Sequence, residues 1–426
     1  MESLQGKKIL ILGGNSASCA IVEEAKKLGA YVIVTDWYDT KRSPAKLLAD
    51  EYWNEEVFRP DILSDLVKQH NIDGVFTGYT DSYLRPYQEL CELSNKFCYS
   101  CGDTFSMTVD KVKFKKACEE VGVPIVPWQE VTPETYVGLI DELEYPVVIK
   151  PTDNSGARGV FKCYDRDHYI ELCIEAFNFS QEKILLVEKM MNPHNEFSAY
   201  YIFNNGKAYL SAMGDRYVYE INKSVAPVGQ CMLYPSNKLS KWIEQVDPIM
   251  KQFYKFNHMN NGFCFVQGFY EDSRFYIHEI GYRLNGGFTY KIVEHFSDYN
   301  QIEQLLLSSV YGSMNQDELE KNNPFFNGYG LILTASLSKG MIGSIQGVDL
   351  IKSLPTIKYF GQLHNVGDEL SSEGTTLQVF AYIICVAKDK KEMIDTIDFV
   401  ERNLQVVDTC GCSMLTPMIN PNRIIF

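Results

Sequence analysis

Two groups of residues in this chain have the types and spacing for phosphate chemistry. The first is Pro146-Val147-Val148-Ile149-Lys150-Pro151, followed by Asp153-Asn154-Ser155-Gly156-Ala157-Arg158-Gly159-Val160. A short β-branched run ending in lysine predicts a strand with a point charge at its end, which can be aimed at a phosphate. The small-residue loop beyond it exposes backbone N–H groups that can fold over the same phosphate. The second group is a predicted hairpin, residues 263–280, followed by Arg283. With a three-residue loop at Asp272-Ser273-Arg274, Gln267 falls directly opposite Glu279 on one face, and His278 points to the other. Two facing oxygen donors suit Mg²⁺, which takes one or two protein carboxylates and completes its shell with phosphate and water. No G-x-x-x-x-G-K-[ST] string occurs, so nucleotide binding here does not rest on a Walker loop.

Other positions carry two readings each. Lys111 opens a helix after Asp110; it either reaches a phosphate or belongs to a solvated face with Lys113, Lys115 and Lys116. Glu188-Lys189-Met190-Met191 ends an apolar strand, with Glu196 soon after, and Ile184 to Val187 are core whatever Glu188 does. Asp81 follows the end of a predicted parallel strand, where loops line clefts, although a plain turn accounts for it as well. Arg216, next to Asp215, has a fork that matches a carboxylate substrate, and a surface ion pair serves nearly as well. Gly13-Gly14 and Asp36 stand where a dinucleotide fingerprint would. The pattern needs three spaced glycines, so a Rossmann-like fold without a dinucleotide is favoured. Cys98, Cys101, Cys410 and Cys412 could supply four zinc ligands, but their flanks read as ordinary strand and turn.

The elements that must position these residues follow from periodicity. Residues 7–100 alternate strand and helix: strands at Lys8 to Leu12, Tyr31 to Val34, Gly74 to Thr77 and Phe97 to Ser100, helices at Ala20 to Leu28, Leu63 to Gln69 and Leu84 to Leu93. That rhythm predicts a parallel sheet covered by helices. Beyond it come a helix at Asp110 to Glu120, strands on either side of the 154–160 loop, and a helix at His168 to Phe177. A hairpin across Asn204-Asn205-Gly206, a helix at 239–256 and a helix within 290–312 follow. Residues 325–426 read as β-rich with one helix at 390–403, after a linker at Asn322-Asn323-Pro324.

A chain of 426 residues implies two to four domains, and 45% hydrophobic with 22% charged residues excludes disorder. Net charge −15 argues against nucleic acid or an anionic membrane as the main partner. The longest apolar run, Val379 to Ala387, is about half the length of a membrane span. Twelve scattered cysteines fit a reducing cytoplasm, and no signal peptide is read at the start.

The order Lys111, Lys150 with its loop, Glu188 to Met191, Glu196, Gln267, Glu279, Arg283 resembles the ATP-grasp superfamily. Within it the chain resembles the carboxylate–amine ligase branch related to carbamoyl-phosphate synthetase, biotin carboxylase and the L-amino acid ligases. The resemblance runs from about residue 7 to 315 and extends to the tail through Gly343-Ser344-Ile345-Gln346-Gly347 and Val366-Gly367-Asp368. It implies an α/β and α+β multidomain protein: a Rossmann-like pre-ATP-grasp domain over 1–102, an ATP-grasp domain over 103–320 with a mobile lid at about 122–187, and a β-rich domain over 321–426. It implies that Lys111 and Lys150 hold ATP phosphates and that the lid loop, with Ser155, Gly156 and Gly159, covers them. By the same resemblance Glu188, Lys189, Met190 and Met191 read adenine, and Glu196 takes the ribose hydroxyls. Gln267 and Glu279 would hold Mg²⁺, one or two ions with Mn²⁺ as a substitute, and Arg283 would lie near the transferred phosphoryl group. Arg216 and Asp81 remain substrate candidates. The implied reaction joins a small-molecule carboxylate to an amine, amino acids among the options, through an acyl phosphate; a homodimer is compatible with it.

One departure stands out. The family reads Glu-x-Asn-x-Arg, whose Asn helps hold the second metal; here the string is Glu279-Ile280-Gly281-Tyr282-Arg283. Asn285 or water replaces that ligand, or one metal is weakly held. Two alternatives therefore stay open: a biotin-carboxylase-like, bicarbonate-activating enzyme, and a non-catalytic ATP-binding relative.

Overall fold

The computed structural model describes residues 3–153, 159–220, 227–371 and 376–426. Its architecture is mixed α/β and α+β, built on four sheets. The first is parallel, in the order Glu51–Trp53, Tyr31–Thr35, Lys8–Leu12, Gly74–Thr77. Helices Ser18–Lys27, Pro60–Gln69 and Leu84–Ser94 accompany these strands. The fourth strand is thus Glu51–Trp53, and Phe97 to Ser100 is not a strand. The apolar character of that segment has another cause. Tyr99 is buried among Tyr87, Phe105 and Tyr282, and its hydroxyl donates to the Tyr282 carbonyl. The real edge strand is three residues long, too short to show alternation.

A smaller antiparallel sheet follows, in the order Trp128–Val131, Leu185–Lys189, Val147–Pro151, Phe161–Cys163. Helix Arg166–Phe179 packs on it, and Val131, Val147, Ile149, Tyr169, Cys173 and Val187 form a core of their own. Helix Lys111–Val121 precedes this unit. Asp110 caps it, accepting from the N–H groups of Val112 and Lys113, and Gly122 ends it at φ 79°.

The largest sheet has eight strands, all antiparallel. Their order is Arg274–Gly281, Gly262–Glu271, Glu196–Asn204, Lys207–Tyr219, Val228–Tyr234, Tyr329–Ser336, Val379–Ala387, Ile357–Gln362. The tail strand Tyr329–Ser336 pairs with Val228–Tyr234, so hydrogen bonding runs unbroken from the central region into the C-terminal one. The segment expected as a linker is also held: Asn322 donates to the Leu210 carbonyl and accepts from Tyr299. A three-stranded sheet, Glu369–Leu370, Gly340–Gln346, Gln405–Asp408, and helix Lys390–Asn403 complete the tail.

Three local expectations are corrected. The helix at 239–256 is two, Leu239–Gln245 and Asp247–Phe256, because Pro248 lacks the N–H a continuous helix needs there. The helix within 290–312 is also two, Thr289–Ser297 and Gln301–Tyr311; Asp298 turns the chain at φ 54° and Asn300 caps the second. The 262–281 hairpin turns through two residues, Asp272 and Ser273, at φ 48° and 62°. Those values suit the right-handed twist of the flanking strands. A register shift then lets Gly268 face Ile277 and Gln267 face Glu279, leaving His278 as the extra residue of a bulge. Gln267 and Glu279 are opposite each other as expected, by a different route.

Candidate active site

Between the small sheet and the eight-stranded sheet lies a cavity of about 350 Å³. Val148, Lys150 and the run Glu188 to Met191 line it from one side; Glu196, Arg216, Phe269, His278 and Glu279 line it from the other, with Lys111 also present. Because of the bulge, His278 faces this cavity together with Glu279 instead of pointing away.

Lys150 lies on the strand whose partner carries Glu188, with Val148 directly opposite Glu188. Its ammonium is 2.6 Å from one Glu188 oxygen, and that of Lys115 is 2.8 Å from the other. Burial would raise the Glu188 carboxyl; the fields of Lys150 and Lys115 outweigh it and hold the group down at about 2. Lys115 is fully buried, and desolvation pushes its ammonium down against the pull of Glu188. The sequence offered Lys115 only as part of a solvated face, one of the two readings of Lys111. The missed signal was its i+4 spacing from Lys111, which sets both on one side of the helix. The Glu188 carboxylate is therefore committed to lysines, and only its backbone remains for a ligand.

Along the same edge, the N–H of Lys189 donates to Pro127 and that of Met190 to Pro146. The N–H of Asn192 donates to Glu271. Among the described residues the N–H of Met191, between them, has no acceptor, while its side chain is buried. A flat heterocycle with an adjacent acceptor fits such an edge. Glu196 is buried and pairs with Arg216 at 2.5 Å, so these two candidates are brought together. Asp215 lies on the opposite face of the strand, where it accepts from Ser236 and Asn237 and pairs with Lys238.

Lys111 donates to the Thr152 carbonyl and lines the cavity with Glu279. Burial pushes the Lys111 ammonium down, with Glu279 pulling the other way. The Glu279 carboxyl is pushed up by loss of solvent, opposed by Lys150 and Lys111. The neighbouring His278 imidazole is pushed down to about 3 by burial and by Lys150, so it is neutral at pH 7, and its Nε2 has no partner among the described residues. Gln267 is half-buried opposite Glu279. A carboxylate and an amide oxygen facing each other fit a hard cation. Asn285 lines a separate cavity of about 100 Å³ with Arg216, Tyr200 and Tyr382, and its amide donates to Thr289. Neither of the two cavities that Glu279 lines includes Asn285.

Arg283 and Asp81 also meet: Nε–Oδ1 is 2.6 Å and Nη2–Oδ2 2.5 Å. Asp81 lines a further cavity of about 430 Å³ with Ser82, Arg85 and Lys113, and this cavity shares Lys111 and Glu279 with the first. Gly159 is at φ +73°, and a side chain there would meet Phe179 at 2.6 Å. Ser155 and Gly156 lie outside the described residues.

The dinucleotide reading loses its acid. Asp36 accepts from the Gly14 N–H, the Ser43 hydroxyl and the Tyr38 N–H, so it fastens its own loop. No cluster of three or more His, Cys, Asp or Glu suited to a metal occurs among the described residues, and all cysteines are free.

Residues 110–202 match the family model described as "Carbamoyl-phosphate synthase L chain, ATP binding domain". They hold Lys111, Lys150, the Glu188 to Met191 edge and Glu196. Beyond that stretch the likeness to known proteins is one of fold. The phosphoribosylglycinamide synthetase of Anaerococcus prevotii superposes with a TM-score of 0.75 at 20% identity, over 95% of this chain and 100% of that one. The L-amino acid ligase of Bacillus licheniformis gives 0.78 at 17% identity, over 95% and 99%. Among curated relatives, the carbamoyl phosphate synthase large chain of Pyrococcus furiosus is 33% identical over 89 residues, 21% of this chain and 8% of that protein. A formate-dependent phosphoribosylglycinamide formyltransferase of Prochlorococcus marinus is 27% identical over 202 residues, 45% and 50% of the two chains. The chain thus spans half or less of the length of these curated relatives. No helix among the described residues is long and apolar enough to cross a membrane.

Proposed function

We propose that the chain is an ATP-dependent ligase that joins a small-molecule carboxylate to an amine through an acyl phosphate, releasing ADP and phosphate. One observation carries this reading. Lys111 and Lys150, delivered by a helix and by a strand of the small sheet, converge with Glu279 on a cavity that the Glu188 to Met191 edge also lines. In this reading the Met191 N–H and the apolar walls Val126, Val148 and Phe269 take the adenine, and Glu196 takes the ribose hydroxyls. Lys111 and Lys150 take the phosphates; residues 154–158, expected to cover them, lie outside the described residues. Glu279 and Gln267 would hold Mg²⁺, which supplies charge neutralisation on the phosphates.

The chemistry follows from charge placement. A substrate carboxylate oxygen attacks the γ-phosphorus, the bond to the β-phosphate oxygen breaks, and ADP leaves with the electron pair. The amine then attacks the acyl carbon, Arg283 donates to the oxyanion, and phosphate departs. The second cavity, which shares Lys111 and Glu279 with the first, receives the acid and the amine, with Arg85 and Lys113 as cationic walls. The same reading divides the chain into a pre-ATP-grasp domain over 1–102, the ATP-grasp domain over 103–320 with its lid at about 122–187, and the tail over 321–426. Closure of that lid would keep water from the acyl phosphate.

The test is an ADP-release screen over paired carboxylates and amines, with bicarbonate and formate included, followed by mass identification of the product. An amine- and acid-dependent product carrying both parts supports the ligase. ADP release driven by bicarbonate alone moves the reading to carboxylation. Nucleotide binding without ADP release in any combination sinks it.

A further inference from the structure

The face of the hairpin that carries Gln267 opposite Glu279 continues, one rung on, with Phe265 opposite Gly281. Residues two apart on a strand share a face, so this rung looks toward the same side of the cleft. It offers no oxygen. A Cβ on Gly281 would stand 2.2 Å from Phe265 Cζ and 2.4 Å from Cε1, so the phenyl ring fills the space that a side chain at 281 would need. The ring is buried, and the Arg283 guanidinium carbon lies 5.1 Å from its centroid, a cation–π seat.

The charges around Glu279 point the same way. Glu188 is committed to Lys115 and Lys150, and Asp81 to Arg283. Glu279 has no ion pair among the described residues, and its partner across the hairpin, Gln267, is neutral. Lys150, Lys111 and Arg283 attract the Glu279 carboxylate, and Asp81 repels it. One dication finds a carboxylate and an amide there. A second would have to share that carboxylate, with no oxygen from the Phe265–Gly281 rung and with Lys111, Lys150 and Arg283 nearby.

Resting on the ATP reading above, we infer that this chain holds a single divalent cation with its bound nucleotide, and that Phe265 excludes a second by occupying the place beside Gly281. The fixed guanidinium of Arg283, seated on that ring, carries the positive charge on this side of the cleft.

Native mass spectrometry of the full chain with β,γ-imido-ATP and excess Mn²⁺ counts the metal directly, and electron paramagnetic resonance separates an isolated Mn²⁺ from a coupled pair. The expected result is one Mn²⁺ per nucleotide-bound chain with an isolated-ion spectrum. Two ions with a coupled spectrum overturn the inference. Gly281→Asn alone should stay at one, because the ring still blocks the site; Phe265→Ala with Gly281→Asn should rise to two. A rise in the single variant, or none in the folded double variant, removes Phe265 as the excluding group. If the alanine double variant does not fold, Phe265→Val with Gly281→Asn takes its place under the same two outcomes. A chain that binds no nucleotide at all fails at the earlier reading, and this inference falls with it.

Discussion

Asp81 and Arg283 are 202 residues apart in sequence and meet through two parallel hydrogen bonds, Nε–Oδ1 at 2.6 Å and Nη2–Oδ2 at 2.5 Å. The pair links the loop after a strand of the parallel sheet to the region just beyond the hairpin that ends at Gly281. A bidentate fork fixes the guanidinium plane as well as its position, which a lysine cannot do. Arg283→Lys should therefore lower kcat by roughly 10²–10³-fold, the loss typical of one positioned oxyanion donor, with little change in the KM for ATP. Steady-state ADP release measures both; an unchanged kcat would remove Arg283 from the chemistry.

Lys150 shares Glu188 with Lys115, so its removal leaves the carboxylate still paired. Lys150→Ala should keep the fold, read by circular dichroism, and lose ADP release. Normal turnover in this variant would end its assignment to the phosphates.

Removing the shared carboxylate acts on the fold instead. Glu188→Gln leaves Lys115, with no exposed surface, without a counter-charge, and breaking a buried pair in this way costs about 3–5 kcal/mol. The same group sets an acid limit. Its carboxyl is held at about 2 in the folded chain, and near 4.3 when unfolded. Its contribution is complete above the unfolded value and fades as pH falls through the interval toward the folded one. Urea midpoints at pH 7 and pH 3.5 should show a larger acid loss in the native chain than in Glu188→Gln. Equal losses would mean that the triad does not carry the linkage.

The Tyr99 hydroxyl donates to the Tyr282 carbonyl at 3.1 Å, and the single Tyr282 hydroxyl proton faces both the Tyr99 carbonyl, also at 3.1 Å, and the nearer Asn261 carbonyl; the ring centroids are 5.2 Å apart. Tyr282 is the residue before Arg283, so its contact with Tyr99 anchors the arginine's backbone to the N-terminal region. Tyr282→Phe keeps the ring and loses the donor. A stability loss of about 1 kcal/mol is expected, together with a drop in kcat much smaller than that of Arg283→Lys. A drop equal to that of Arg283→Lys would mean that the Tyr282 hydroxyl has a part in the reaction itself.

What sequence could show depended on how local each cause was. The βαβ rhythm, the Asn205-Gly206 hairpin and the Lys150 strand were readable because apolar period and turn chemistry act within a few residues. The Gln267–Glu279 pair was readable although its route was not: a two-residue turn and a bulge at His278 together give the register that a three-residue loop would give. Lys115 was hidden among four lysines of one helix, since helical spacing alone does not say which face is buried. Partners distant along the chain were invisible: Asp81 for Arg283, Phe265 for Gly281, Arg216 for Glu196. The Asp81–Arg283 contact exists only once the two sheets are packed; the other two depend on how side chains settle within one sheet.

Gly159 lies near the end of the 154–160 loop, at φ +73°, a region that favours glycine. A Cβ there would meet Phe179 Cβ at 2.6 Å and Pro151 Cγ at 3.0 Å. Phe179 is the last residue of the helix that packs on the small sheet, and Pro151 is the residue after Lys150. Gly159→Ala thus joins backbone strain, of order 1–3 kcal/mol, to a collision between two rigid parts. The strain falls on the strand that carries Lys150, so hydrogen exchange should speed up over Val147–Pro151 and leave the eight-stranded sheet unchanged. The KM for ATP should rise several-fold, because the loop must be held open at one end. Unchanged exchange in that strand would show that the loop adjusts without transmitting the collision to Lys150.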